Sequence, residues 1–376
     1  MSRGSAIPNS RVACLFSYRS NQGEVGIASP VRRTVRDVTF STGGGLGAIL
    51  LWSATFAVAR SLSEQVGPLT AGAAVYVIGG LLCVLRFWWL QLSPARLWRL
   101  SRKYLCGCGA LFVLYTAVIY LALGLARNRE QLLEVALINY LWPAATILLS
   151  LPLLRQRATF WLPVGTALAL IGMFLVLTQG ARVSWTGFVE RLLSNPAAYL
   201  LALVGAIAWA FYSNLTRRWS EPGGHGAVEL FMLATGLTLL TLRWLVSEPA
   251  VWTTRALAEA FALGAITALS YALWDLAMRR GNLVLVASCS YLTPLLSTLV
   301  SSAYLRVAPK PQLWFGCLLL VAGSLITWRS VSASNSSRPT QGTVALPRSS
   351  AAQGQPTTGT ERNPPPGTSR HSATIL

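Results

Sequence analysis

Residues 120–172, YLALGLARNREQLLEVALINYLWPAATILLSLPLLRQRATFWLPVGTALALIG, align with residues 271–323, YALWDLAMRRGNLVLVASCSYLTPLLSTLVSSAYLRVAPKPQLWFGCLLLVAG, at a constant shift of 151 with no gap. Eighteen of the 53 positions are identical. Shared apolar composition would match leucines, but these identities also pair Tyr120 with Tyr271, Arg129 with Arg280, Tyr140 with Tyr291, Pro143 with Pro294, Gly165 with Gly316 and Gly172 with Gly323. A weaker echo pairs Trp52 and Arg60 with Trp209 and Arg217. The chain therefore reads as two related halves.

A helix needs about 20 apolar residues to cross the hydrocarbon core of a bilayer. Against that length the chain offers ten candidate spans, at 43–60, 69–90, 105–124, 133–153, 161–179, 197–216, 227–246, 258–278, 284–304 and 312–328. Each half holds five, an odd number, so the second half must enter the membrane in the opposite sense to the first. The expected architecture is an all-α polytopic membrane protein with ten transmembrane helices, built as two inverted five-helix repeats over 43–180 and 197–329. Similar halves of opposite sense can exchange conformations, and alternating access is the mechanism such a repeat suggests. Fifteen Lys and Arg flank the spans on the side of the N-terminus and nine on the other, which predicts both termini in the cytoplasm.

Composition agrees with a membrane solvent. Of the 376 residues 53% are hydrophobic and only 11% charged, too few charges to cover a soluble surface of this size. The formal charge of +19 comes from basic residues that punctuate apolar runs rather than gather into a patch, so no nucleic-acid partner is expected. Six cysteines set no framework: Cys83, Cys289 and Cys317 lie inside apolar stretches, and Cys106 with Cys108 lacks a second pair for zinc. Neither metal nor cofactor is expected. The first segment, 1–42, has no apolar core ahead of a small-residue cleavage site, so it does not read as a secretory signal. It is either disordered or upstream of the true start. The last, 330–376, is rich in Ser, Thr, Pro, Gln and Gly and is expected to be disordered.

Pro143 and Pro294 fall mid-span at matching positions of the repeat. Proline cannot donate to the carbonyl four residues earlier, so the oxygens of Asn139 and Ser290 are expected to lose their helical partners and face a cavity or a polar group. The two prolines are the candidate hinges. Around them lie Asn139, Tyr140 and Trp142 in one half and Ser290 and Tyr291, beside Thr293, in the other, whose hydrogen-bonding groups and flat rings suit an amphiphilic solute. The alternative is that the tyrosines only bond between helices. Tyr120, Tyr271, Trp52 and Trp209 extend the candidate substrate-binding set, while Trp88, Trp89, Trp161, Trp244 and Trp252 sit near helix ends as interfacial anchors. Intramembrane acids are the usual ion relays. Asp275 and Glu134 are the candidates for ion coupling, although Arg279 one turn after Asp275 also predicts a local ion pair. No arrangement for proteolysis or metal hydrolysis is present, and no enzyme is expected.

At LLEVALINYLWPAATILL, 132–149, at 271–299, at LARNREQ, 125–131, and at AILLWSATFAVAR, 48–60, the chain resembles the EamA-type branch of the drug/metabolite transporter superfamily, which takes in aromatic amino-acid exporters. INYLWP is the more specific of these motifs. The resemblance spans about residues 43–329 and implies a basket of two inverted repeats around a central cavity, set in a bacterial plasma membrane. It implies export of amino acids, aromatic ones among them, with Asn139, Tyr140, Trp142, Pro143, Tyr291 and Pro294 as the motif positions. The competing expectation is the same machine exporting drug-like organic cations or other small metabolites; a cation site would call for a carboxylate in the cavity.

Overall fold

The computed structural model describes residues 35–89, 100–178, 184–221, 226–305 and 311–336. Residues 1–34 and 337–376, most of both predicted tails, lie outside them. The described residues are helical throughout, with no strand. In chain order the helices are α1 (Val35–Val66), α2 (Pro68–Trp89), α3 (Lys103–Leu125), α4 (Arg129–Asn139), α5 (Trp142–Leu153), α6 (Trp161–Thr178), α7 (Trp185–Ser194), α8 (Pro196–Trp219), α9 (Val228–Leu245), α10 (Thr254–Arg280), α11 (Leu283–Cys289), α12 (Thr293–Leu305) and α13 (Pro311–Ser336). Among these residues nine helical segments are long and apolar enough to cross a membrane, with α4–α5 and α11–α12 each counting as one. The tenth is α1, bent by 49° between Val35–Thr55 and Val58–Val66. Ser53 and Thr55 return their hydroxyls to the carbonyls of Ile49 and Trp52 just before that bend, a habit that curves helices.

Helix starts follow local chemistry. Asn128, Ser184, Thr253 and Asn282 each cap a helix by accepting a backbone N–H three residues on, satisfying a donor the first turn leaves free. α1 is described from Val35, ahead of the apolar run, and carries Asp37 near that end. α7 was not among the predicted spans. It is short and amphipathic, with Trp185 and Leu193 exposed and Trp185 stacked on Phe188 at 5.5 Å. Trp88, Trp89, Trp161, Trp244 and Trp252 all lie exposed near helix ends.

The helices pack in partnered sets: α1 with α10 and α3 with α8, α2 with α10 and α3 with α9, α5 with α8 and α1 with α12, and then α2 with α9 and α6 with α13. Glycines permit the closest crossings, since small residues let membrane helices approach backbone to backbone. On α6 and α13 a Cβ at Gly172 would stand 2.7 Å from the Gly316 carbonyl oxygen, and one at Gly165 would stand 2.7 Å from the Thr327 nitrogen. The glycines matched by the repeat are thus the ones that meet.

Candidate functional site

The two mid-span prolines do not kink continuous helices; each opens a new one. α4 stops at Asn139, two residues turn, and α5 starts at Trp142 with Pro143 second. α11 stops at Cys289, a 3₁₀ turn covers Ser290–Leu292, and α12 starts at Thr293 with Pro294 second. Proline suits a first turn because no N–H bond is required of it there. The Ser290 carbonyl accordingly is not left free, as the sequence had suggested: it accepts from the Thr293 N–H through the 3₁₀ turn.

The first break opens onto a cavity of about 180 Å³. Asn139, Tyr140 and Trp142 line it from the break, Trp52 from α1 and Tyr115 from α3, with Trp209 from α8 and Tyr271 from α10. Thr293 and Ser297 of α12 complete the wall. Its floor is a cluster of rings. Trp209 sits 6.2 Å from Trp52, 6.2 Å from Trp142, 5.8 Å from Tyr271 and 4.7 Å from Tyr115, centroid to centroid, mostly edge-on or tilted. These offsets suit the quadrupoles of aromatic rings. Trp274 closes the cluster from below, 5.3 Å from Trp52 and 5.4 Å from Trp142. Two polar atoms at the wall, Asn139 Oδ1 and Thr293 Oγ1, are buried without a hydrogen-bond partner. A buried polar group is normally paired, and the hydroxyls of Tyr212 and Tyr291 share this unpaired state away from the cavity. Among the described residues, no charged side chain lines the cavity.

Six of the nine predicted substrate-binding residues therefore meet at one place: Trp52, Asn139, Tyr140, Trp142, Trp209 and Tyr271. The other three lie elsewhere. Tyr120 lines a neighbouring cavity, and Ser290 and Tyr291 are fully buried and line neither. Sequence reasoning overlooked Tyr115 and Ser297, for which the repeat offers no signal: Tyr115 aligns with Ile266.

Both candidate coupling acids are held by neighbours away from the cavity. Asp275 Oδ2 accepts from Arg279 Nε at 2.6 Å, and its Oδ1 accepts from the Tyr104 hydroxyl at 3.0 Å. That hydroxyl in turn accepts from the Ala227 N–H at the foot of α9. Arg217 of α8 caps the same end of α10, donating to the carbonyls of Ala277, Met278 and Gly281. At the opposite end of the bundle, Glu134 accepts from Arg191 at 3.0 Å and from the Tyr199 hydroxyl at 2.5 Å, so α7 is tied to α4 and α8. The bond to Glu134 raises the Arg191 pKa above its ordinary value.

A bundle of spanning helices, with two of its spans broken beside an uncharged aromatic cavity, has the form of a membrane transporter. The chain belongs to the EamA-like transporter family, which matches residues 42–178 and again 196–329. Its relatives include the aromatic amino acid exporter YddG of Escherichia coli K12, 33% identical over 290 residues that cover 76% of this chain and 95% of that one. The protein of the same name from Salmonella typhimurium is 32% identical and likewise covered over 95% of its length. A third, from Ancylobacter novellus, is 32% identical with 94% of its length covered. A solved crystal structure, 30% identical, matches with a TM-score of 0.66 over 77% of this chain and 97% of its own.

Proposed function

We propose that this protein is a secondary transporter that exports amino acids, aromatic ones preferred, across the bacterial inner membrane by alternating access. The observation that carries the substrate is the cavity, where Trp52, Tyr115, Trp142, Trp209 and Tyr271 offer ring faces and edges around the first helix break. The half-helix ends suit the polar head of a zwitterion. The positive end of the α5 dipole favours a carboxylate and the negative end of the α4 dipole an ammonium group, with Asn139 and Thr293 as hydrogen-bond partners. An organic cation would want a compensating carboxylate, and none lines the cavity. The names of the relatives point the same way.

The inverted repeat rests on the alignment of the halves, on the separate family matches to 42–178 and 196–329, and on the helix partners. Exchanging each helix with its repeat mate turns α1·α10 into α8·α3, α1·α12 into α8·α5 and α2·α10 into α9·α3, while α2·α9 and α6·α13 map onto themselves. That is the packing a two-fold axis in the membrane plane produces. With both termini cytoplasmic, as the flanking charges favour, the Asp275–Arg279 end of the bundle faces the cytoplasm and the Glu134–Arg191 end faces outward.

The test is counterflow. Labelled phenylalanine or threonine is offered to liposomes that hold the purified protein and are preloaded with either amino acid, with a cationic dye as competitor. Phenylalanine accumulation that the dye leaves unchanged is expected; dye accumulation without amino-acid counterflow would replace this reading with a cation exporter.

A further inference from the structure

A second cavity, of about 150 Å³, shares Trp52 and Tyr271 with the central one and none of the residues of the helix break. Its other walls come from Thr55 and Leu62 of α1, Ala71 and Val75 of α2, Tyr120 of α3 and Thr267 of α10, all toward the end of the bundle where α1 gives way to α2. Trp52 and Tyr271 form the partition, with centroids 5.5 Å apart at 65°. Both rings also pack against others, Trp52 on Trp209 and Trp274 and Tyr271 on Phe112 and Trp209, so opening the partition means turning rings within a cluster. The Tyr271 hydroxyl shares a hydrogen bond of 2.5 Å with the Tyr76 hydroxyl, and Trp52 lies on α1 shortly before the bend that separates Val35–Thr55 from Val58–Val66.

The lining carries hydroxyls and rings but no charge, so it can take an uncharged ring and not a zwitterionic head. A cavity of about 150 Å³ is large enough in volume for a benzene ring. It is also the smaller of the two, at about 150 Å³ against 180 Å³. We infer that this second cavity is a transit subsite for the aromatic ring of the exported amino acid, entered when the Trp52–Tyr271 partition opens, and that its size selects which rings pass. The inference rests on the reading of the protein as an aromatic amino-acid exporter.

Ala71 lines the second cavity and not the central one, so Ala71→Val narrows the subsite alone. A methylene or two in an apolar pocket discriminates by about tenfold or more. Tryptophan counterflow is expected to fall about tenfold relative to phenylalanine, while equilibrium binding of both to the purified protein stays within about twofold of wild type. Val75→Ala enlarges the same wall and is expected to move the ratio the opposite way, which keeps the test intact if Ala71→Val fails to fold. An unchanged tryptophan-to-phenylalanine ratio in both variants, or binding lost in parallel with transport, overturns the subsite. Wild-type protein with no phenylalanine counterflow would instead overturn the exporter reading beneath it.

Discussion

Asp275 and Arg279 form a buried ion pair one turn apart on α10, with side chains 2% and 9% exposed. Tyr104 of α3 bridges Asp275 to the start of α9, so the pair also latches three helices at the end of the bundle opposite the second cavity. Two unit charges about 4 Å apart attract by about 4 kcal/mol at an effective dielectric of 20, which roughly offsets the cost of taking both from water. Removing one partner leaves the other charge buried and costs about 3–5 kcal/mol, whereas replacing both by apolar side chains of similar volume costs little. Asp275→Asn keeps an oxygen for the Tyr104 hydroxyl and so isolates the loss of charge; Arg279→Met keeps the stem. Each single variant is expected to lose about 3–5 kcal/mol of stability, and the D275L/R279M double variant less than either. Denaturant unfolding of the detergent-purified protein reads these differences. A double variant that loses about 6–10 kcal/mol, the two single losses added, would refute the latch as a coupled unit. Counterflow in the same double variant separates the roles of Asp275: transport retained assigns it to the latch alone, and transport abolished in a folded protein assigns it to ion coupling.

Four further outcomes are expected. Trp142→Ala removes a cavity ring and should slow counterflow of phenylalanine more than that of threonine; an equal loss for both would assign Trp142 to packing. Pro143→Ala supplies an N–H that can join α4 to α5, and should slow turnover several-fold at nearly unchanged thermal stability, while unchanged turnover would remove the hinge. Gly172→Ala drives a Cβ to 2.7 Å from the Gly316 oxygen and should destabilise by about 1–3 kcal/mol in thermal or denaturant unfolding, whereas Gly124→Ala, with nothing within 4 Å of the new methyl, should not. Glu134→Gln takes away the anion that Arg191 and Tyr199 bind, so hydrogen exchange of the α7 amides should speed up by tenfold or more, equivalent to about 1.4 kcal/mol or more.

Much of the fold was legible because hydropathy is local. A bilayer demands runs of fixed length, and the predicted spans fall on the helices to within a few residues, apart from α1, which extends at both ends, and α13, which continues past 328 to Ser336 through residues expected to belong to the disordered tail. The short amphipathic α7 escaped because its apolar face is too narrow for a span-length window. The candidate site was legible in part for a related reason. Tryptophan, tyrosine and asparagine in the middle of an apolar run are expensive unless they do something, so Trp52, Asn139, Tyr140, Trp142, Trp209 and Tyr271 could be picked out one by one.

Which of those residues meet is a matter of how each helix is rotated about its own axis, and the sequence carries little of that, because these helices are apolar nearly all round. Packing against neighbouring helices sets the rotation, as where Gly205 of α8 sits against Val118 and Tyr115 of α3. It turns Tyr115 and Ser297 into the cavity, sends Tyr120 to its neighbour and buries Tyr291 away from both. The sequence by itself determined a helical chain in a membrane, the related halves and the two mid-span prolines, all of them properties of residues close in the chain or repeated along it. Contacts between helices far apart in sequence settled the rest: Glu134 is held by Arg191, Tyr104 of α3 joins the Asp275–Arg279 pair that spacing alone had predicted, and Trp52 and Tyr271 come together between two cavities.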